Sequence, residues 1–431
     1  MASKLWQSTA TGSLHPLVEA YTVGDDQVLD QHLLGHDITA TKAHAHMLEK
    51  IGVLTSDEYQ QLAAALDELL NEWKTGTFTL TSEHEDGHTA IELYLTEKLG
   101  PIGKKVHTGR SRNDQALVMM RLFIKTELEA VVDTLETVAQ AYAGKVVAIG
   151  QTEMPGYTHT QKAMPTTVGM WLGSYHDAFH DLQQLVAHSI AAIDQNPLGS
   201  TAGFGVTLPL DRQMTTSELG FAKVQENPMY CGLSRGVFEL IAVQALNPIM
   251  VFAGKFAEDM LLFTSQEFNY FKLPVTMTTG SSIMPHKRNY DVFEIMRATA
   301  HAYPNYALQL QAISTGAGSG YHRDLQLTKN ITMDAFTSAL NTLEVLALCV
   351  SELEANTKRL AEAMTDELYT VAKINELVEK GVPFRDAYQQ VKQSFLANSQ
   401  YAEIRLHHLP LLYGNVSQTE DECGSITGLL H

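Results

Sequence analysis

The segment Thr279-Gly-Ser-Ser-Ile-Met-Pro-His-Lys-Arg-Asn-Tyr-Asp-Val-Phe-Glu294 concentrates more reactive chemistry than any other part of this chain. Gly280, Ser281 and Ser282 are small loop formers that leave hydroxyls close to free backbone N–H groups. His286, Lys287, Arg288 and Asn289 follow as a run of donors in a protein with a net charge of −19. The segment closes at Glu294, inside an apolar, proline-free stretch that can be a helix. A hydroxyl beside clustered cations on a flexible loop suits a lid over an anionic substrate. A solvated surface loop could carry the same residues, so the reading depends on what accompanies it.

Three other segments share the chemistry. Lys104-Lys-Val-His-Thr-Gly-Arg-Ser-Arg-Asn-Asp-Gln115 places four cations and no acid between Lys104 and Arg112, then runs into a long helical pattern. Free N–H groups and the dipole at a helix start add to such side chains and make an anion site. Arg112 can grip a carboxylate through two parallel bonds, and Asn113 can both donate and accept. The same stretch also reads as an ordinary helix start capped by Asn113 or Asp114. Gly156-Tyr-Thr-His-Thr-Gln-Lys-Ala-Met-Pro165 gathers Thr158, His159 and Gln161 between prolines, with His159 either an acid–base group or a hydrogen-bonded structural residue. Gly320-Tyr-His-Arg-Asp-Leu-Gln-Leu-Thr-Lys329 opens a second long helix, and Gln326 and Lys329, three apart, share a face near Tyr321. Together these segments imply one pocket for a small molecule with several carboxylates.

Two patterns imitate metal sites. His84-Glu-Asp-Gly-His88 matches H-E-x-x-H, which requires both histidines on one face of a regular helix. Gly87 and the acids Glu83, Glu85 and Asp86 fit a helix start better, with the helix beginning near Thr89, so no metal is expected. His44 and His46, two apart, point in different directions on a helix. The Gly199, Gly203 and Gly205 cluster is a turn without phosphate-binding spacing.

Long helices must position these segments. No Gly or Pro interrupts Ala116 to Ala143, where Leu117, Met120, Ile124, Leu128, Val131, Leu135, Val138 and Tyr142 recur at helical spacing. Tyr321 to Lys380 is equally unbroken, with Phe336, Leu340, Leu343, Ala347 and Val350 repeating the pattern. Leu122, Phe123, Leu346 and Leu348 widen the stripes into those of a thick bundle completed by other subunits. The expected fold is all-α in three parts: an N-terminal helical domain over 1–106, a central long-helix bundle with the catalytic segments over 107–354, and a small C-terminal helical domain over 355–431. Thr75 to Thr81 is the one alternating run that reads as a strand. Gly381-Val-Pro-Phe384 reads as a helix stop and restart, and the residues from Gly414 as loosely ordered.

Composition narrows the function. Hydrophobic residues at 45% and charged residues at 18% describe a globular protein. With 30 Lys+Arg against 49 Asp+Glu there is no basic face for nucleic acid or an anionic membrane. Val237 to Phe263 is apolar but interrupted by Glu239, Asn247-Pro248, Lys255 and Glu258, which reads as a buried helix pair or a kinked helix and not a membrane span. Cys231, Cys349 and Cys423 lack C-x-x-C spacing, and the first residues lack the apolar core of a signal peptide; both fit the cytoplasm.

The motifs together resemble the fumarase/aspartase superfamily and, within it, the argininosuccinate lyases. Gly280-Ser-Ser-Ile-Met-Pro-x-Lys-x-Asn289 resembles the superfamily signature, and His107-Thr-Gly-Arg-Ser-Arg-Asn-Asp-Gln115 the narrower family. Tyr157-Thr-His-x-Gln161, Glu85-Asp-x-His88, Tyr321-x-Arg-Asp-Leu-Gln326 and Gly381-Val-Pro-Phe-Arg385 agree in order and spacing. The resemblance implies cleavage of argininosuccinate to fumarate and arginine by anti elimination, without metal or organic cofactor. It implies Ser281 as the base, acting as an alkoxide, with Lys287 favouring the ionised form. It also implies His159 as acid or orienting group, and Glu294 as the carboxylate that supports it. Arg112, Asn113, Ser111, His88, Thr158, Gln161, Asn289, Tyr321, Gln326 and Lys329 match substrate-binding positions. A homotetramer with sites shared between subunits is implied as well.

The chain departs from the family pattern in four places. His286-Lys-Arg-Asn-Tyr-Asp291 replaces Gln-Lys-Lys-Asn-Pro-Asp, and Ala163-Met-Pro165 replaces Ala-Gln-Pro. Tyr21 to Asp26 stands where the family offers a substrate-binding Ser, and Asn227 to Arg235 lacks the usual acids. Two alternatives therefore accompany the leading one: a lyase releasing fumarate from another N-substituted aspartate, and a non-catalytic structural relative. The intact Ser281, His159, Lys287 and Asn289 argue for catalysis.

Overall fold

The computed structural model describes residues 14–81, 84 and 86–397. Its helices are α1 (Pro16–Val23), α2 (Asp26–Lys50), α3 (Ser56–Lys74), α4 (Gly87–Leu99), α5 (Arg112–Ile149), α6 (Val168–Ile193), α7 (Arg212–Glu218) and α8 (Pro228–Leu233). They continue as α9 (Val237–Phe263), α10 (Asp291–Ala302), α11 (Pro304–Thr315), α12 (Thr328–Ser351), α13 (Thr357–Ala363), α14 (Thr370–Glu379) and α15 (Phe384–Ala397). The fold is all-α, with short two-stranded ladders serving as clasps. They pair β1 (Glu153–Thr158) with β2 (Gln161–Thr167), β3 (Gln195–Asn196) with β4 (Lys223–Val224), β5 (Phe271–Lys272) with β8 (Glu354–Ala355), and β6 (Thr279–Gly280) with β7 (Arg288–Asn289).

Two compact units alternate along the chain. One comprises the chain up to Asp133, Gln183–Met250 and His301–Asn341; the other comprises Thr134–Leu182, Val251–Ala300 and the chain from Thr342. In the first unit, α2, α3 and α4 bury Leu34, Ile38, Leu48, Leu62, Leu66, Leu69, Ile91 and Leu95 against one another. A reciprocal Thr55–Glu58 cap starts α3. The second unit is built on aromatic packing: Tyr142, Trp171, Tyr175 and Phe256 meet edge to face and in stacks. Asp259 accepts both Trp171 Nε1–H at 2.9 Å and Tyr175 O–H at 2.7 Å, satisfying the polar tips of that cluster.

All eight positions of the Leu117–Tyr142 stripe are buried, as the spacing requires. On α12, Phe336, Leu343, Ala347 and Val350 are buried and Leu340 is half-buried. Leu346 belongs to the core, whereas Leu348 is exposed. The helix runs only from Thr328 to Ser351; Tyr321 lies outside any helix, His322 is extended and Arg323–Leu327 is a 3-10 turn. Val237–Phe263 is one helix that contains Pro248. By length and composition α9 and the span Arg323–Ser351 could each cross a bilayer, yet half of each apolar window is buried in the fold.

Thr75 to Thr81 forms no strand. The Thr75 and Thr77 hydroxyls donate to Asn71 O and Glu72 O at the end of α3, at 2.9 and 3.0 Å, and divert the backbone from a ladder. The substantial hairpin is instead β1–β2, which links α5 to α6. Its base is drawn tight by Gly150 and Gly169: Gly169 N–H donates to Gly150 O at 2.9 Å, and a Cβ on Gly169 would stand 2.9 Å from that oxygen. Gly381, at φ 90°, stops α14 and the chain restarts at Phe384, immediately after Pro383. The glycine-rich turn holds Gly199, Gly203 and Gly205 at positive φ. The tail from Gly414 and Cys423 lie outside the described residues, as do Glu83 and Glu85.

Candidate active site

The first unit contains a cleft of about 200 Å³ lined by acids and cations in alternation. Asp26, Asp30 and Asp37 project from one face of α2, four and seven residues apart, a spacing that reads in sequence as a solvated stripe. Asp30 and Asp37 are instead buried. Lys329, from the first turn of α12, reaches both Asp30 at 2.5 Å and Asp26 at 2.8 Å. Burial opposes its charge, but Asp30 and Asp26 outweigh that and raise its pKa. Gly87 N–H donates to the second Asp30 oxygen at 3.0 Å and fixes the start of α4 against α2.

Asp86 caps α4, accepting Thr89 N–H at 2.8 Å, and forms an ion pair with Arg112 at 2.9 Å. Arg112 also donates to the Thr89 hydroxyl at 2.8 Å, so its guanidinium is aimed across the cleft by α4. The start of α5 is capped by Ser111, and not by Asn113 or Asp114. Asn113 N–H donates to Ser111 Oγ at 3.2 Å while Asp114 accepts Ser111 N–H at 2.8 Å. The other Asp114 oxygen accepts Gly199 N–H and Thr201 N–H, which suspends the glycine-rich turn from this helix start. Asn113 is thereby freed to line the cleft.

The four cations of the 104–112 segment separate. Lys105 pairs with Glu58, and Arg110 is buried between Thr41 and Asp37, so among the four only Arg112 lines the cleft. Gln326 lines it too but is anchored: its amide donates to Thr22 O and Val23 O at 3.0 and 3.1 Å, and Arg323 donates to Thr22 O at 2.8 Å. Those bonds hold the corner between α1 and α2. Tyr321 and His88 complete the wall named by the sequence; Ser111 stands behind it as the cap.

His88 stacks on His107 with ring centres 3.6 Å apart and planes 16° from parallel. His107 Nδ1 lies 3.2 Å from Glu92, leaving His107 Nε2 and His88 Nδ1 buried without partners among the described residues. Burial, then Arg110 and Arg112, hold His107 well below the usual imidazole range. Burial, then His107 and Arg110, bring His88 down to about 2. Both rings are neutral at neutral pH. His88, Glu92 and His107 place ligand-type atoms within 4.8 Å of one another. Face-to-face rings, however, send their in-plane lone pairs side by side and not toward one ion, and two arginines add positive charge. His84 lies outside α4, so it shares no helix face with His88.

The second unit carries Ser281, Lys287, Asn289, Glu294, Thr158, His159 and Gln161. Strands β6 and β7 clasp the loop, pairing Thr279 with Asn289 and Gly280 with Arg288. Ser281 Oγ accepts Met284 N–H at 3.1 Å and Ile283 N–H at 3.4 Å, a pair of dipoles that favours negative charge on the oxygen. Thr279 Oγ1 donates to Asp291 at 2.5 Å and receives Asn289 Nδ2–H at 3.4 Å. Lys287 and Glu294 are exposed.

His159 sits at the tip of the β1–β2 hairpin, where Thr158 pairs with Gln161. His159 and Thr160 both take left-handed backbone, φ 54° and 59°, the primed turn that matches strand twist. A β-branched Thr in that conformation is strained. Sequence inspection saw a polar cluster between prolines there and missed the turn, since the residues that normally mark it, Asn-Gly or Asp-Gly, are absent. Asp26, Asp30, Asp37 and Arg235 were missed too; acids at helical spacing among apolar residues of α2 were the available signal.

The fold and the Gly-Ser-Ser loop define a lyase of the fumarase/aspartase superfamily. A family described as "Lyase" matches residues 11–302. The chain is 40% identical over 395 residues to an argininosuccinate lyase from Thermotoga neapolitana, covering 92% of this chain and 99% of that one. It is 42% identical over 389 residues to one from Stenotrophomonas maltophilia, covering 90% of each. The chain belongs to the argininosuccinate lyase family. Among solved structures, an EDDS lyase variant with bound fumarate shares the fold with TM-score 0.74 and 22% identity, over 90% of this chain and 77% of that one. A class II fumarase from Schistosoma mansoni does so with TM-score 0.70 and 17% identity, over 89% and 93%.

Proposed function

We propose that this enzyme cleaves L-argininosuccinate to fumarate and L-arginine by anti elimination, in the cytoplasm and as a homotetramer. The observation that carries the chemistry is the Ser281 oxygen accepting two backbone N–H groups in a loop that also presents Lys287 and Asn289. A serine hydroxyl is far too weak an acid to act as a base unless its ionised form is favoured by such dipoles and a nearby ammonium. Ser281 Oγ takes the proton from the succinyl carbon next to a carboxylate. The electrons move into that carboxylate, giving a doubly charged aci form that Lys287, Asn289 and backbone donors stabilise. Collapse forms the fumarate double bond and expels the guanidinium nitrogen, which takes a proton from His159 or from water.

Thr158, Gln161, Asn289, Arg112, Asn113, Tyr321, Gln326, Lys329 and His88 bind the substrate in a site shared between subunits, with Ser111 capping the helix start that carries Arg112 and Asn113. In the proposed tetramer Glu294 supports His159 across a subunit boundary. Relatives that carry the argininosuccinate lyase name at 40% and 42% identity favour that substrate over other N-substituted aspartates. The test is the rise in fumarate absorbance when the purified enzyme meets L-argininosuccinate. Lysine- or ornithine-derived adducts cleaved in its place would move the assignment to a related lyase.

A further inference from the structure

Arg235 differs from every other cation of the cleft. Arg112 is held by Asp86 and Thr89, Lys329 by Asp26 and Asp30, and Arg323 by Thr22 O and Gln326. The Arg235 side chain is buried at 8% exposure, yet among the described residues its guanidinium meets no hydrogen-bond acceptor. Its packing contact is the face of Tyr321, 4.8 Å from the ring centre, and Asp26 lies within its field. Glu239, the acid nearest in sequence, is occupied by Gly236 N–H at 2.7 Å. Gly236 is locked in turn: its φ is 80° and a Cβ there would strike Ser314 Oγ. The backbone beside Arg235 is therefore fixed.

The fork of Arg235 lines the charged cleft and also a smaller, mostly apolar recess walled by Leu117, Phe204 and Met229. A guanidinium that opens onto a cleft from a mostly buried side chain, with no protein acceptor among the described residues, is available to a ligand carboxylate. The cleft also presents Asp26, Asp30, Asp37 and Asp86. Set against Arg112, Arg323 and Lys329, these acids give the cleft both signs of charge. Such a lining suits the amino-acid half of the substrate, which carries an ammonium, a guanidinium and a single carboxylate, better than the succinyl half, which carries two carboxylates and no cation.

We propose that Arg235 receives the α-carboxylate of the amino-acid half of the substrate, with its plane set by the Tyr321 ring. This rests on the substrate assigned above and names the group that selects the released amine. A planar fork stacked on an aromatic ring is matched to a carboxylate and is not replaceable by lysine.

The test is direct binding of L-arginine, agmatine and fumarate to the wild-type enzyme and to R235Q and R235K, with thermal melts verifying the fold. Agmatine keeps the guanidinium and ammonium of arginine and lacks only the carboxylate. Wild type is expected to prefer arginine over agmatine by about tenfold or more, the scale of a charged bidentate contact. R235Q is expected to bind the two alike, with fumarate affinity changed less than about twofold and R235K in between. An R235Q enzyme that keeps the preference, or that loses fumarate instead of arginine, overturns the proposal; should R235Q fail to fold, R235K with an undiminished preference does the same. A wild-type enzyme that releases no fumarate from argininosuccinate removes the substrate reading itself. A cleaving enzyme whose variants keep the preference removes Arg235 alone.

Discussion

The cleft of the first unit and the reactive segments of the second are built on opposite principles. In the cleft, Asp30, Asp37 and Lys329 are buried, and most charges are already opposed by another. In the second unit, His159, Gln161, Lys287 and Glu294 are exposed, and Ser281 is bonded to its own loop. A cleft wired by internal ion pairs keeps its shape before substrate arrives, so little reorganisation accompanies binding. A reactive hydroxyl and imidazole on a loop and a hairpin tip remain available to whatever completes the site. Within the proposed tetramer that is another copy of the chain.

The sharpest way to separate the two regions is to remove one atom from the reactive loop. Ser281→Ala is expected to lower turnover by about 10³-fold or more while leaving the melting temperature unchanged, because no packing is lost. Substantial residual activity would reassign the base. His159→Asn comes next: a loss of about 10²-fold in kcat with little change in KM is expected for an acid–base or orienting group. Near-normal kcat would leave His159 as a turn residue.

In the cleft the corresponding change costs stability as well as binding. Lys329→Met leaves Asp26 and Asp30 facing each other in a buried site, and a loss of about 3 kcal/mol in unfolding free energy is expected. A melt indistinguishable from wild type would show that solvent reaches those acids. Smaller effects sharpen the contrast. His44, wholly buried with Nε2 on Thr108 O at 3.0 Å, has its pKa lowered to about 3, first by burial and then by Arg110. Its neutral form is favoured in the fold, so the stabilisation is present above about pH 6.5 and is lost as pH falls toward 3. His44→Gln should reduce the loss of urea stability between pH 7.5 and pH 5 by about 1–2 kcal/mol. Equal slopes in the two proteins would mean that His44 already titrates in the fold. Last, Thr160→Gly relieves left-handed strain at the hairpin tip and should raise stability by about 1 kcal/mol; a lowered melting temperature would locate the strain elsewhere.

Much of the helical body was legible. The apolar stripe of α5 is buried at every position named from spacing, because a 38-residue helix without breakers has one way to hide that many side chains. The reactive motifs were legible as residue types, since a Ser, Lys and Asn within a few positions of Gly imply loop chemistry on their own. Strand signals misled: Thr75 to Thr81 alternates but its hydroxyls find Asn71 and Glu72 first. The hairpin that forms at Glu153–Thr167 carries Pro155, Gly156 and Pro165, which locally disfavour strands. Tertiary placement between α5 and α6 overrides that preference.

The sequence by itself determined the helical class, the reactive loop, the basic segment before α5 and the family. Each of these depends on local spacing or on residue types that stand close together. Only the tertiary structure decided which charges serve the cleft. Lys105 and Arg110 belong to the same run as Arg112, yet Glu58, Thr41 and Asp37 claim them. Asp30 looks like a surface acid until Lys329 arrives from 299 positions away. The worth of a charge depends on the solvent it has lost and the partner it has gained, and both are set by contacts that no local pattern records.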